Sequence, residues 1–243
     1  MPMIPMFIML PTDQYYLLLV VPTLLLSLWA QFKVKSTFSK YEKISSSRKI
    51  TGADTAALLL KTNDIRDVKI EAVAGRLSDH YSPSDKKLRL SDPVFSQTSI
   101  SAIGVAAHEA GHAIQHATKW GPLVLRSTLV PVANIGSQFG PILAIIGLGI
   151  TGSAEYSAFS NILFNAGILL FTGAVLFYLV TLPVEFNASS RALALLRSNN
   201  VLTEQELKGA KKVLTAAALT YVASALTAIA NLLRLILLRR GRR

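Results

Sequence analysis

Two histidines and one glutamate form a compact group in the order His108-Glu109-Ala110-Gly111-His112. On an α-helix, residues four apart face the same side and lie about 6 Å apart along the axis. Two neutral imidazoles at this spacing can bind one Zn²⁺, and a glutamate beside them can act as a general base toward a water molecule. The pattern predicts half of a hydrolytic zinc site, in which His108 and His112 bind the metal and Glu109 is the catalytic base.

The flanking residues predict that this group lies on a helix over 99–118. Ser99 is a suitable N-cap, and apolar or small residues recur on one face of the helix. Three of the four histidines of the chain fall in this helix, which favours a metal site over a chance arrangement of solvated side chains. The third, His116, would lie about 12 Å from His108, too far to share a metal. We expect His116 to contact a ligand or to be solvated.

A catalytic zinc usually has three protein ligands and one open position for water. No histidine follows His116, so the third ligand must be a carboxylate or a water. Glu185 is the best candidate, because it is the only acidic residue between Glu155 and Glu204 and follows an apolar run. An acid at the edge of such a run is energetically costly and is usually functional.

Other interpretations of these acidic residues stay open. Glu185 could instead pair with Arg191 or be solvated, and Asp79 and Asp92 are weaker ligand candidates because both fall in predicted turns. Ser189 lies one helical turn beyond Glu185 and could hydrogen-bond to a ligand.

The predicted reaction is hydrolysis of a peptide bond. The metal would polarise the scissile carbonyl and activate a water, and Glu109 would pass the proton of that water to the leaving amine. A further donor must stabilise the oxyanion. Tyr221 and His80 are the candidates, although Tyr221 is better explained as a membrane-interface aromatic and His80 as a turn histidine.

The composition indicates a multi-pass membrane protein. Hydrophobic residues make up 51% of the chain and charged residues only 16%. The chain has no cysteine, which excludes disulfides and thiolate ligands. The net charge of +11 lies mainly beside apolar runs and is not interleaved with aromatic residues, so lipid headgroups rather than nucleic acid are the expected counter-charge.

Four apolar runs predict membrane spans, at 15–32 (extended upstream by residues 3–10), 129–151, 158–182 and 213–233. Six basic residues lie in the segment from Lys33 to Lys49, so the positive-inside rule predicts that this segment is cytoplasmic. The connector 152–157 has no lysine or arginine, so the same rule predicts that it lies outside. A fourth crossing puts the basic tail outside, against that rule. The last helix could therefore lie along the interface or bend back.

The predicted fold is a mainly α membrane protein with a small α+β zincin-like metallopeptidase domain inserted between transmembrane helices. In that water-facing domain we expect a helix at 52–63, a strand at 67–73 and a hairpin of 77–81 with 86–91. The expected divisions are an N-terminal transmembrane segment (1–32), the cytoplasmic domain (33–125), a transmembrane hairpin (126–182), a helical segment with the third ligand (183–212) and a C-terminal apolar helix with a basic tail (213–243).

Six stretches together resemble the YugP-like neutral zinc metallopeptidases of bacterial membranes, nearly from end to end. They are LSLWAQ at 26–31, LSDHY at 77–81, GVAAHEAGHAIQH at 104–116, VPVANIGS at 130–137, LPVEFNAS at 182–189 and AAALTYV at 216–222. The family is similar to the HtpX-type and CAAX prenyl proteases, in which a glutamate on a later helix completes a two-histidine site. The resemblance implies that role for Glu185. Those relatives usually have an aspartate four residues later, where this chain has Ser189.

These observations predict a membrane-embedded zinc endopeptidase with a site facing the cytoplasm and a peptide or protein substrate. The alternative is a catalytically silent, zinc-stabilised membrane scaffold or adaptor. A structural zinc is normally closed by four protein ligands and has no need of Glu109. A transporter is disfavoured because the spans 129–151 and 158–182 carry no charged residue. The sequence predicts neither the oligomeric state nor the physiological substrate.

Overall fold

A computed structural model describes residues 13–150 and 154–241. They form two compact units, each built from separate stretches of the chain. We call residues 13–29, 125–150, 154–182 and 221–241 the apolar unit, and residues 30–124 and 183–220 the site unit. The predicted upstream extension at 3–10, the start of the predicted connector and the last two arginines lie outside the described residues. The helices are α1 (Val21–Glu42, preceded by a π-helical turn at Tyr16–Val20), α2 (Gly52–Thr62), α3 (Asp92–Phe95), α4 (Ile100–Ala117), α5 (Gly121–Gly149), α6 (Ala154–Ser198) and α7 (Glu204–Arg240).

Four helices are long and apolar enough to cross a membrane, which confirms the four predicted apolar helices. They are Tyr16–Glu42, Gly121–Gly149, Ser157–Ser198 and Glu204–Arg240. Many of their large apolar side chains are exposed, including those of Leu18, Ile162 and Leu169. Exposed leucine and isoleucine in such numbers match a surface that faces lipid.

Within the apolar unit, α7 runs antiparallel to α1. The hydroxyls of Ser27 and Thr227 are 3.3 Å apart, and Arg234 donates two hydrogen bonds to Asp13 at 2.9 and 2.7 Å. The Arg234 side chain is buried, so the carboxylate of Asp13 neutralises a charge that would be costly in an apolar surrounding. The antiparallel pairing favours a fourth crossing over a helix that bends back.

The site unit contains a three-stranded sheet of β1 (Lys69–Val73), β2 (His80–Ser82) and β3 (Lys87–Ser91), in the order β1-β3-β2. β2 and β3 form the predicted antiparallel hairpin, although β2 begins later than expected because Leu77 has a positive φ of 57°. β1 pairs with β3 in parallel. That parallel pairing was not predicted, because it joins strands that are not consecutive in the chain.

Helix α4 is central to the site unit. Its N-cap is Ser99, as predicted, and the Ser99 hydroxyl accepts a hydrogen bond from the Ala102 amide. Fourteen of its 18 residues are buried, most of them alanine, glycine or isoleucine. Helices α2 and α3 and strands β2 and β3 pack around it. The largest fully buried apolar side chains of this unit include Phe38, Leu59, Leu88, Leu90, Ile103 and Leu196.

Helix α6 approaches α4 closely at Gly111, which lies between the two histidines of the motif. A Cβ atom at Gly111 would lie 2.8 Å from the Ala188 carbonyl oxygen and 3.3 Å from the Ala188 Cα. Because those are backbone atoms, they can move away only if α6 moves. Glycine at this position therefore lets α6, with Glu185 one turn earlier, lie directly against the motif.

The fold agrees with the prediction of a mainly helical membrane protein with a small sheet. The zincin-like character of the inserted domain stays a prediction, as do the five domain divisions. The predicted water-facing stretch, 33–125, falls almost entirely in the site unit, but that unit also takes in residues 183–220. Residues from separate predicted segments thus form one compact body.

We expect Gly111→Ala to destabilise the protein although alanine is the better helix former. Overpacking typically costs about 1–3 kcal/mol, and alanine regains at most about 1 kcal/mol of helix propensity. Gly104→Ala on the same helix is the matched control, because the nearest atom to its Cβ would be the Ala210 Cβ at 3.4 Å, an ordinary contact. Thermal unfolding in detergent should show a lower Tm for Gly111→Ala alone. Equal Tm values for the two variants would contradict the assignment of Gly111 as the close-contact position.

Candidate metal centre

The structure brings His108, His112 and Glu185 together, although Glu185 is 77 positions from His108 in the chain. The Oε2 atom of Glu185 is 3.3 Å from Nε2 of His108 and 3.5 Å from Nε2 of His112. One potential ligand atom from each residue lies within 4.8 Å of the other two. Atoms bound to a tetrahedral zinc at about 2.0–2.1 Å are about 3.3–3.4 Å apart. The cluster therefore has the spacing and the donor types of a zinc site with one position left for water.

The burial of Glu185 supports the same interpretation. Its side chain is only 3% exposed, and a carboxylate removed from water must be compensated by a partner of opposite charge or by a metal. Two of its partners are imidazoles, which are neutral unless they bind a proton. A divalent cation between these three groups would supply positive charge directly at the carboxylate.

Gln115 orients the imidazole of His112. Its side chain is fully buried, and its amide nitrogen donates to the Val184 carbonyl oxygen at 2.9 Å. A carbonyl can only accept, so this contact fixes which end of the amide is which. The Gln115 Oε1 atom, 3.0 Å from Nδ1 of His112, must therefore accept a hydrogen bond from that nitrogen. When the ring is neutral, its other nitrogen, Nε2, carries the lone pair and lies 3.5 Å from Oε2 of Glu185.

A second contact supports the orientation of Gln115. Its amide nitrogen also donates to Oδ1 of Asn187 at 3.0 Å, and the same oxygen accepts from Nε of Arg191 at 2.7 Å. Because arginine can only donate, the direction of every hydrogen bond from Arg191 to His112 is determined.

Ser189 contacts the imidazole of His108, much as Gln115 contacts that of His112. Its hydroxyl is 3.1 Å from Nδ1 of His108, which agrees with the expectation that Ser189 contacts a ligand. If the hydroxyl accepts a hydrogen bond from Nδ1, the neutral ring of His108 carries its lone pair on Nε2, which faces Glu185. A hydroxyl can thus hold the ring without adding negative charge.

The electrostatics of the centre link metal binding to pH. Burial favours the neutral ring of His112, but the hydrogen bond and charge of Glu185, together with the charge of Glu109 and the hydrogen bond to Gln115, outweigh burial and raise the pKa of His112. In the absence of metal, His112 therefore holds a proton up to a higher pH than an ordinary histidine. A metal ligand must be deprotonated, so if His112 binds the zinc, we expect binding to weaken as the pH falls through this raised pKa.

The weaker ligand candidates lie outside the cluster. Asp79 accepts hydrogen bonds from the amide and hydroxyl of Ser91 at 2.7 and 3.0 Å, and burial raises its pKa, with the charge of Glu109 adding to the effect. Asp92 is exposed at the start of α3. His116 lies 2.8 Å from the Tyr81 hydroxyl, and burial raises the pKa of Tyr81 to about 12.

The two predicted oxyanion donors have different positions. His80 is exposed at the start of β2, and its Nδ1 lies 2.8 Å from the Ser78 carbonyl oxygen. Nδ1 must donate to that carbonyl, and a neutral imidazole has only one N–H group. The ring can therefore donate from Nε2 as well only when it is in its cationic form. Tyr221 lies on α7 in the apolar unit. The role of each stays a prediction.

Sequence reasoning missed Gln115 and Asn187. Gln115 did carry a signal, since it is a polar residue three positions after a predicted ligand, on the same side of an apolar helix. Nothing in the sequence around Asn187 indicated its role, because its partner Gln115 comes from a distant part of the chain.

Comparison with known proteins identifies the family. Residues 16–240 match the profile of a family described as "Putative neutral zinc metallopeptidase". The chain belongs to this family. It is also 48% identical over 223 residues to the "Putative membrane protease YugP" of Bacillus subtilis (strain 168), covering 92% of this chain and 96% of that relative. No solved structure matches the chain. Family membership makes Zn²⁺ the cofactor, in agreement with the donor set of the cluster.

If Glu185 is the third ligand, Glu185→Ala should lower the zinc bound per chain, because only two protein ligands remain. Glu71→Ala, which removes a carboxylate from strand β1, is the control and should leave the zinc content unchanged. Elemental analysis of protein purified in detergent measures both. Full occupancy in Glu185→Ala would instead favour a water, Asp79 or Asp92 as the third ligand.

If Gln115 orients His112, Gln115→Leu should weaken zinc binding by about 10- to 100-fold, the usual effect of losing a hydrogen-bond partner of a ligand. Gln115→Leu keeps roughly the same volume but removes the acceptor for Nδ1 of His112. Gln97→Leu makes the same change at an exposed glutamine and is the control. Competition with a fluorescent zinc chelator measures both affinities, and equal values would exclude the orienting role.

Proposed function

We propose that this protein is a membrane-embedded zinc endopeptidase in which Glu109 is the general base. The main support is the close approach of three potential ligands, His108, His112 and Glu185, with a glutamate directly beside the first of them. The family match supports the peptidase activity, and the apolar helices support the membrane location.

The environment of Glu109 is that of a functional rather than a surface carboxylate. Its side chain is largely buried, at 8% exposure. Its charge is close enough to act on both His112 and Asp79. An exposed helix carboxylate without a role would be solvated on α4 rather than enclosed beside the ligands.

When bound, Zn²⁺ supplies a Lewis acid that stabilises developing negative charge and makes water more acidic. His108, His112 and Glu185 would hold the ion. The Glu109 carboxylate takes a proton from the attacking water as the water oxygen forms a bond to the peptide carbon. Glu109 then gives that proton to the amide nitrogen as the carbon–nitrogen bond breaks. His80 and Tyr221 are the proposed donors to the oxyanion.

We further propose that the site faces the cytoplasm. The support is the run of basic residues that follows the first span, from Lys33 to Lys49, against a single acidic residue, Glu42. Peptide segments of membrane proteins or misfolded proteins are then the expected substrate class.

We expect Glu109→Gln to retain zinc but to lose peptide cleavage by at least about 10²-fold, the usual contribution of a general base. The amide keeps the size of the side chain and cannot accept the proton. Glu71→Gln, at a partly exposed carboxylate on β1, should cleave at the normal rate. Zinc content and hydrolysis of casein or a fluorogenic peptide are measured together, before and after chelation.

The same experiment separates an enzyme from a zinc-stabilised scaffold. A scaffold shows no hydrolysis in the unmodified protein, and chelation then lowers its thermal stability alone. Unchanged turnover in Glu109→Gln would remove Glu109 from the mechanism while leaving the zinc site intact.

A further inference from the structure

A groove between α6 and α7 in the site unit adjoins the candidate metal centre at Ser189, but the proposed reaction makes no use of its basic residues. Its volume is about 510 Å³, within the range of about 300–1,000 Å³ typical of ligand sites. Residues of both helices line it, among them Phe186, Ser189, Arg197, Lys208, Lys211 and Leu214.

The two ends of this groove differ in polarity. The end nearer the apolar runs of α6 and α7 is lined by Phe186, Leu214 and Ala218, which are apolar. Lys208 and Lys211 line the other part and are both exposed. Their spacing of three residues places them side by side on one face of α7.

The charge of the groove is positive. Arg197 and Glu204 pair with each other at 2.7 Å, so their charges cancel. Lys208 and Lys211 form no ion pair within the part of the chain that the structure describes. The two lysines therefore leave about two positive charges without a bound partner, beside an apolar surface.

The dimensions match the boundary between the headgroups and the acyl chains of a bilayer. Lys211 and Ala218 are seven residues apart on α7, or about 10 Å along the helix axis. The headgroup region on each side of a bilayer is about 5–7 Å thick. A molecule whose phosphate lies at Lys211 would therefore reach Ala218 with its hydrocarbon part.

We propose that this groove binds one anionic phospholipid. The phosphate lies between Lys208 and Lys211, and an acyl chain packs against Leu214 and Ala218. Leu214 and Ala218 themselves belong to the apolar run of α7, as contact with a lipid tail requires. A peptide with an acidic side chain would need the lysines but not this continuity. Basic pockets beside membrane helices recognise anionic headgroups in this way.

Native mass spectrometry of the full-length protein in mild detergent tests the proposal, with phosphatidylglycerol and phosphatidylcholine of identical acyl chains as the probes. We expect selective retention of phosphatidylglycerol. Lys211→Gln should weaken it about fivefold, since one lysine near anionic lipid contributes a factor of about this size. Lys212→Gln makes the same charge change at an exposed neighbour that does not line the groove, and it should have no effect.

A second variant distinguishes a lipid from a free phosphate. Thr215→Trp fills the apolar end of the groove without changing its charge, and it should reduce phosphatidylglycerol retention while Lys211 is intact. Equal retention of the two lipids, or equal effects of Lys211→Gln and Lys212→Gln, would overturn the proposal. So would unchanged retention in Thr215→Trp together with full competition by inorganic phosphate. If no lipid is retained and Lys211→Gln raises KM for an acidic peptide, the lipid proposal is wrong and the groove is a substrate subsite.

Discussion

The close contact between α4 and α6 is the constraint on which the candidate centre depends. Because Gly111 has no side chain, the Ala188 backbone can lie against the middle of the histidine motif, and Glu185 can reach both imidazoles. The carboxylate is thereby removed from water, which is unfavourable unless a cation compensates it. The packing of α4 against α6 and the binding of zinc are therefore coupled. We expect a substitution that disturbs the packing to weaken zinc binding, and loss of zinc to weaken the packing.

A chain of directed hydrogen bonds makes the centre specific. Arg191 can only donate, and its contact with Asn187 sets the direction of the bonds that pass through Gln115 to His112. A buried network of this kind stabilises one arrangement when every member is satisfied. It directs Nε2 of His112 toward Glu185, and so toward the proposed metal position, before any ion binds. The reaction that we propose needs this preorganisation, because ligands that had to rotate into place would bind zinc less tightly.

Two of the apolar helices, α6 and α7, also contribute residues to the site unit. Helix α6 continues for 45 residues through Pro183, so the third apolar span and the proposed third ligand, Glu185, lie on the same helix. Helix α7 likewise carries Lys208 and Lys211 just before its apolar run. In the apolar unit, the buried Arg234 is neutralised by Asp13. Charge is thus kept at the ends of the apolar runs or paired, as a low-dielectric surrounding requires.

Local spacing and composition were enough to predict the helix with its Ser99 cap, the two histidines on one face, the four apolar helices and the hairpin of β2 with β3. Glu185 could be found by elimination, since few acidic residues are available. Three other features became visible only in the folded chain: Gly111 faces Ala188, Nε of Arg191 contacts Asn187, and β1 pairs in parallel with β3. Each of them joins elements that are not adjacent in the chain or selects one partner among several. Local propensity contains no information about which distant backbone or side chain will come within hydrogen-bonding distance.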